Sequence, residues 1–466
     1  MLRHKKKIAV LGLGKSGRSA VKLALKSGYS VCAVDNSDST NLRNFQNHFA
    51  EDKNVKFKLG CNKLKLTDFD KIVISPGIRP DSPLGRSASA SGIPIVSELE
   101  FGLSFLKIPF LAITGTNGKT TVTEMTAMIL QNCGLNAVSI GNIGTPASEV
   151  ALTETDYNIA VVEASSFQLE NSKNLFPLGA ALLNIHSDHI DWHKSFTNYF
   201  NAKLKIFRNI NAEKNTVINY NLINSQLIKS AILTDFLPLT FSYESSDADI
   251  YYDSVTNEIH SKFFNSPISI EKLKKFSRHN IENTLAAVAL SASAVKDTKK
   301  LKPAIIEFIE NFKTSPHRQE LIAVHKGVKF INDSKSTNPL SLIAAIDATS
   351  DKEKSICLIA GGLDKQMDFS DVLKYKNQIK VIFLIGDSKK SLVSLWNDDI
   401  HCILCDTLKD AVFRAVDFAD SGDVILLSPG CASMDMFENY QERGNVFRDL
   451  VLNYIIENKQ MQMCSV

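Results

Sequence analysis

The stretch Phe110-Leu-Ala-Ile-Thr-Gly-Thr-Asn-Gly-Lys-Thr-Thr121 constrains the fold more than any other, because an apolar strand runs through a glycine turn directly into a helix. Gly115 and Gly118 let the backbone curl so that successive N–H groups face one anion. The positive end of the helix and the Lys119 ammonium add to the same point. Thr120 then offers a hydroxyl where phosphate loops meet a magnesium ion. Val122, Met125 and Ile129 fall on one face of the predicted helix, and Gly134 suits its end. A standard loop would carry glycine where Ile113 stands, so this is a shortened variant, and by itself it suits a kinase, an ATPase or a ligase. A solvated Gly-Lys-Thr turn would not need strand, turn and helix in that order.

A second glycine turn precedes it. Residues 6–35 read strand, turn, helix, strand, with Gly12, Gly14 and Gly17 in a G-x-G-x-x-G pattern and Asp35 about twenty positions on. Alone this suggests a nicotinamide dehydrogenase, but the residues left before Phe110 are too few for a whole dinucleotide domain. The next strand, Asp70 to Ser75, runs into Pro76-Gly77-Ile78. We therefore expect residues 1–97 to form a small Rossmann-like domain that grips a diphosphate.

The chain has 466 residues, which suggests about three domains by the length prior. With 44% hydrophobic and 22% charged residues it is an ordinary globular composition, and a net charge of +3 gives no basic stripe for nucleic acid. The eight cysteines lack the spacing of a secreted disulfide framework, so reduced thiols in a cytoplasm are expected; Cys402-Ile-Leu-Cys405 has no second pair to complete a metal site. The start, with Lys5 to Lys7 before an apolar run, imitates a signal peptide but is broken by glycines, Lys15 and Arg18. No apolar run reaches the ~18 residues of a membrane span.

A strand ending at Glu163 and another from Gly179 to Asn184 continue the central domain, 98–312, while residues 205–275 promise only short strands and loops. From 313 to 466 a third α/β pattern follows, with strands at Val328 to Asn332, Ile356 to Ala360, Val381 to Ile385, His401 to Leu404 and Val424 to Leu427. Helical segments lie at Pro339 to Ala348, Ser391 to Trp396 and Leu408 to Phe418. The fold class expected is thus α/β in three domains: Rossmann-like, central P-loop-type mononucleotide-binding, and Rossmann-like again. Polar runs at strand ends, Asp333 to Asn338, Gly361 to Lys365 and Ser428 to Ser433, are not needed by a core.

Glu163, at a strand end beside the phosphate strand, can complete a magnesium site with Thr120, though such a glutamate also serves as a helix cap or surface charge. His186, His189 and His193 lack the cysteine pairs or helical His-Glu-x-x-His of a zinc site, so one of them is expected to orient magnesium or substrate and the others to be structural. Lys203 and Lys205 look like an exposed helix face. Arg318 could reach a phosphate or be a solvated linker charge.

Thr114 to Thr120, Gly141-Asn-Ile-Gly144, Glu163-Ala-Ser-Ser-Phe-Gln-Leu-Glu170, Asp333-Ser-Lys-Ser-Thr-Asn338 and Ser428 to Gly444 together closely resemble the Mur ligases, and Gly12 to Gly17, Ser75 to Ile78 and Ser166 to Glu170 point to the D-glutamate-adding branch. Trp192 departs from the family pattern, where arginine is usual, as do Ser277, Tyr440 and the Asn36-Ser37 pair. The resemblance implies a cytoplasmic enzyme, expected to be a monomer, that uses ATP and Mg²⁺ to join an acid to an amino acid through an acyl phosphate. Its substrates would be small molecules, with neither nucleic acid nor membrane as partner.

By position the resemblance implies UDP-substrate contacts at Gly14, Ser16, Asp35, Ser75 and Gly77. It implies nucleotide contacts at Gly115, Thr116, Asn117, Gly118, Lys119, Thr120, Thr121, Asn280, Asn283, Arg318 and Asp333. Magnesium would take Thr120 and Glu163, with His189 and a carbamylated Lys203 at a second ion, and Asn142 would face the acyl phosphate. The amino acid would lie against Lys335, Thr337, Lys365, Ser433 and Tyr440. Folylpolyglutamate synthase shares the phosphate loop but not the N-terminal glycine-rich domain, and a non-catalytic module would not need Lys119, Glu163, His189 and Lys203 together.

Overall fold

The computed structural model describes the chain outside residues 1–4, 154–155, 211–214, 232–237, 296, 314–315, 350–352, 364–366 and 465–466. It forms two units, Met1–Asn311 and Phe312–Val466. In the first unit, strands Val55–Lys58, Ser30–Val34, Lys7–Leu11, Lys71–Ile74 and Ile95–Ser97 make a parallel sheet in that spatial order. Ile8, Ala9, Val10 and Leu11 are fully buried, as in a strand covered on both faces. The strand order reverses between Lys7–Leu11 and Lys71–Ile74, so the turns after them open side by side at the carboxyl edge, where open α/β sheets bind ligands. The Ser75 hydroxyl ties these turns together by donating to the Gly12 carbonyl at 2.7 Å.

A second sheet of the same unit has nine strands among the described residues, with Phe110–Thr114 between Gly179–Leu182 and Ile159–Glu163. Phe110–Thr114 is buried throughout, and the helix Lys119–Asn132 turns Val122, Met125 and Ile129 into the core at 0% exposure. That helix stops where expected, with Gly134 at φ 86°. The region 205–275 contributes Thr216–Asn219, Leu239–Ser242, Ile250–Asp253, Glu258–Ser261 and Ile268–Ser269 to the far side of the sheet. Strands of two to four residues are too short to show a period in sequence.

The two sheets are joined by helices. Lys15–Lys26 and Glu98–Leu103 both pack on Ala147–Leu152, so closely that a Cβ on Gly102 would lie 2.3 Å from the Ser148 nitrogen. The buried Glu98 accepts that same N–H at 2.9 Å.

Among the described residues the second unit has a six-stranded sheet in the order Glu320–His325, Val328–Asn332, Val424–Leu427, Ile356–Gly361, Ile379–Ile385, Cys402–Leu404. All pairs are parallel except the first. Periodicity does not mark Glu320–His325, because it is an edge strand with Leu321 and Val324 exposed and its pairing carries a bulge. The unit ends in the long helix Tyr440–Cys464, which lies beyond the segments the sequence pattern marks.

Candidate active site

At the phosphate loop, Gly118 stands at φ 82°, and a Cβ there would lie 2.5 Å from Asn283 Oδ1. Only glycine suits a left-handed turn with a neighbour that close. Asn283 itself comes from the opening of the helix Arg278–Ala292, whose N-cap Ser277 accepts the Asn280 N–H at 3.4 Å. The structure thus brings the helix opening that carries Asn280 and Asn283 up against the loop.

The loop's donors are arranged differently from the sequence expectation. Asn184 Oδ1 accepts the N–H groups of Thr116 at 3.1 Å and Asn117 at 2.9 Å, and its Nδ2 donates to the Asn117 carbonyl at 3.1 Å. Those two N–H groups therefore brace the loop instead of facing an anion. The helix opening at Thr120 and Thr121 offers the remaining anion-facing end. Sequence reasoning passes over Asn184, since an asparagine after a strand usually marks a turn. Asn184→Ala removes three hydrogen bonds, and we expect ATP affinity to fall at least tenfold, roughly the effect of one or two such bonds. Calorimetric titration with ATP checks this, and an affinity within threefold of the parent chain would contradict it.

Two lysines converge on one oxygen. Lys119 Nζ donates to the carbonyls of Gly115 at 2.9 Å and Thr116 at 2.8 Å, and Lys203 Nζ donates to the same Gly115 carbonyl at 2.7 Å. Lys203 is only 2% exposed, and Lys205 is half-buried with its ammonium on the Glu170 carbonyl at 2.6 Å, which corrects the expectation of an exposed face. The reason is helical period: Lys203 lies four residues after Tyr199 on the buried face of Phe196–Leu204, its Nζ 4.7 Å from the Tyr199 ring centroid. Burial, with the Lys119 charge adding to it, pushes the Lys203 amine well below its ordinary range, against the pull of Asp188 and Glu163.

Glu163 pairs with Ile113 across the sheet and so stands beside the loop's first residues. Its Oε1 accepts Asn142 Nδ2 at 2.7 Å, and the Asn142 N–H donates to the Glu163 carbonyl at 2.9 Å. Oε2 is buried with no hydrogen-bond partner among the described residues. A carboxylate oxygen left so is costly unless a cation or donor meets it, and a hard cation that takes carboxylate oxygens fits that need.

The three histidines take different polar partners, although His189 and His193 both lie against Phe167. His193 is 3% exposed, with Nε2 2.9 Å from Ser166 Oγ and its ring stacked on Phe167. His186 meets Thr116 through its backbone N–H, which donates to Oγ1 at 3.0 Å. His189 sits at φ 53° with Nε2 3.6 Å from Asp188 Oδ2 and its ring 4.7 Å from Phe167. No group of three or more His, Cys, Asp or Glu side chains suited to a metal forms among the described residues.

In the first domain, Asp35 braces the glycine turn: Oδ2 accepts the Leu13 N–H at 2.6 Å and Oδ1 the Ser37 N–H at 2.8 Å. A Cβ on Gly17 would fall 1.7 Å from the Gly12 carbonyl oxygen, which explains the third glycine of the pattern. Gly14 and Gly77 are exposed and Ser16 half-buried at the same carboxyl edge.

In the second unit, Asp333 is buried and its carboxyl is pushed up to about 7 by that burial, although it accepts Ser428 Oγ at 3.0 Å and the Gln319 N–H at 3.1 Å. Lys335 Nζ donates to the Tyr440 hydroxyl at 2.8 Å and lies 4.1 Å from its ring centroid. Arg443, 1% exposed, donates to Ser334 Oγ at 3.0 Å, the Ser334 carbonyl at 2.9 Å and the Cys431 carbonyl at 3.1 Å, pinning the Asp333 and Ser428 loops together. Ser433 is buried, Thr337 and Arg318 are half-buried, and Lys365 lies outside the described residues. Arg443 escaped sequence reasoning because arginine early in a helix ordinarily faces water.

Two glycine turns at sheet edges, one of them a lysine-bearing phosphate loop, on a chain of three α/β sheets define a nucleotide-handling enzyme scaffold of the P-loop type. The chain belongs to the Mur ligase family. Residues 6–97 match the Mur ligase MurD-like N-terminal domain, 113–291 the Mur ligase middle domain, and 317–431 the Mur ligase glutamate ligase domain. It is 35% identical over 459 residues to the UDP-N-acetylmuramoylalanine--D-glutamate ligase of Alkaliphilus metalliredigens, covering 96% of this chain and 98% of that protein. The protein of the same name from Clostridioides difficile is 33% identical over 467 residues, again covering 96% and 98%. Among solved structures, MurF ligase from Thermotoga maritima in complex with ADP superimposes with a TM-score of 0.60 at 14% identity, over 97% of this chain and 96% of that one. A pseudomurein peptide ligase type C from Methanothermus fervidus gives 0.57 at 18% identity, over 97% and 100%. These two likenesses concern the fold.

Proposed function

We propose that this chain is an ATP-dependent ligase that joins D-glutamate to UDP-N-acetylmuramoyl-L-alanine in cytoplasmic peptidoglycan precursor synthesis, working as a monomer with functional domains 1–97, 98–312 and 313–466. The observation that carries the reading is the meeting of Lys119 and Lys203 on the Gly115 carbonyl, within the electrostatic reach of Glu163, whose buried Oε2 has no hydrogen-bond partner among the described residues. It occurs in a chain matched over 96% of its length by relatives bearing that ligase's name. In this reading the γ-phosphoryl group of ATP passes to the alanyl carboxylate, giving an acyl phosphate and ADP. The D-glutamate amine then attacks the acyl carbon, phosphate leaves, and the amine proton is lost to solvent.

Lys119 and the helix opening at Thr120 and Thr121 hold the terminal phosphates, where positioning and charge provide most of the catalysis. Asn142, oriented by its bond to Glu163, faces the acyl end. Asn280, Asn283, Arg318 and Asp333 serve the nucleotide, and Lys335, Thr337, Lys365, Ser433 and Tyr440 serve the amino acid. Thr120 and Glu163 would hold one magnesium ion, and His189 with Lys203 a second. The second set fits only if Lys203 carries a carbamate, since an ammonium repels a cation. Bound magnesium supplies offsetting charge for the phosphoryl transfer.

Phosphate release from ATP, measured with UDP-N-acetylmuramoyl-L-alanine and each candidate amino acid in turn, tests the reading. Release is expected with D-glutamate. Release with another amino acid and none with D-glutamate would overturn it.

A further inference from the structure

The loop after Lys71–Ile74 carries Arg79-Pro80-Asp81, whose side chains reach from the five-stranded domain to the segment that begins at His189. Arg79 Nη1 donates to Asp191 Oδ2 at 2.9 Å and Nη2 to the Asp191 carbonyl at 3.0 Å. The same guanidinium donates through Nε to Asp81 Oδ1 at 3.0 Å and lies 5.3 Å from the Trp192 ring centroid. Lys194 closes the group, its Nζ donating to Asp81 Oδ2 at 3.0 Å and to the Asp191 carbonyl at 2.9 Å.

The His189 segment is held from its other side too. Trp192 Nε1 donates to Glu170 Oε2 at 3.0 Å, and the Phe167 ring centroid lies 4.3 Å from that of Trp192 and 4.7 Å from that of His189. His189 and Lys194, near the two ends, stand at φ 53° and 67°, a conformation that non-glycine residues keep only where their surroundings hold them. The Ser75 bond to Gly12 ties the start of the loop that carries Arg79 to the glycine turn.

A lone exposed ion pair would contribute little. Here one planar guanidinium is shared by two carboxylates, a carbonyl and a ring face, an arrangement that fixes direction as well as distance. We propose that Arg79 is a positioning residue: by fixing the His189 segment against the substrate loop, it sets the alignment of the substrate's acyl end with the terminal phosphate of ATP. The proposal rests on the functional reading given above.

The test assays Arg79→Ala and Asp191→Ala, alone and together, by phosphate release with all three substrates. A misplacement of about 1 Å costs on the order of 100-fold in rate, so kcat should fall between about tenfold and 100-fold. KM for ATP and for the UDP-substrate should stay within about threefold and the melting temperature within a few degrees, since the pair is exposed and contributes little stability. The double variant should be no slower than Arg79→Ala, because the side-chain contact that Asp191→Ala breaks is already lost with Arg79. Arg79→Lys should recover only part of the rate, lacking the fork. A kcat for Arg79→Ala within threefold of the parent, or losses that multiply in the double variant, would overturn the proposal. Should Arg79→Ala not fold, Arg79→Met, which keeps the aliphatic stem and removes every donor, carries the same measurement. An inactive parent enzyme would instead refute the functional reading.

Discussion

Lys203→Ala is expected to bring ligation to background, and a short-chain carboxylic acid added in solution is expected to restore part of it. The amine is buried against Tyr199 and Gly115 with Lys119 beside it, so holding it protonated sets two positive charges around one carbonyl. A neutral amine relieves that repulsion and is the form that adds carbon dioxide. The carbamate so formed supplies carboxylate oxygens of the kind magnesium prefers. Alanine leaves a space that a free carboxylate can enter, whereas glutamine, of comparable reach, should leave less room and show less rescue. Full activity of Lys203→Ala without added acid would remove Lys203 from the mechanism.

Lys119→Ala should be equally severe, and Lys119→Arg should not restore it. Lys119 Nζ sits inside the loop on the carbonyls of Gly115 and Thr116, 2.9 and 2.8 Å away, a place that admits a compact ammonium on a flexible stem. A guanidinium is broader, with a fixed fork that these two carbonyls do not match. Loss of one preorganised hydrogen-bond donor where charge develops costs about 10²–10³ in kcat, and a full positive charge at a transferring phosphoryl group is worth about 10³–10⁵. Steady-state phosphate release from both variants decides the matter: turnover near that of the parent in either one would place the phosphate grip elsewhere.

Much of this protein can be read from its residues in order. The phosphate loop, the fingerprint at Gly12 to Gly17 and the parallel strands of the second unit are local patterns, in which a strand, a turn residue and a helix period lie within one short window. That is why Val328–Asn332, Val424–Leu427 and Leu408–Phe418 fall where the sequence places them. The short strands between Thr216 and Ser269 and the edge strand Glu320–His325 were not legible, because their pairing depends on neighbours far along the chain.

The chemistry divides the same way. Sequence by itself determined that the chain has a lysine-bearing phosphate loop and a glutamate at the end of an adjoining strand, since glycine conformation and strand ends are local properties. Only the tertiary structure decided that Lys203 is buried on Gly115, that Asn184 takes two of the loop's N–H groups, and that Arg79 meets Asp191 across 112 positions of sequence. Burial and long-range hydrogen bonding depend on which surfaces come together, and a lysine that faces water carries the same letter as one that faces a carbonyl in the core.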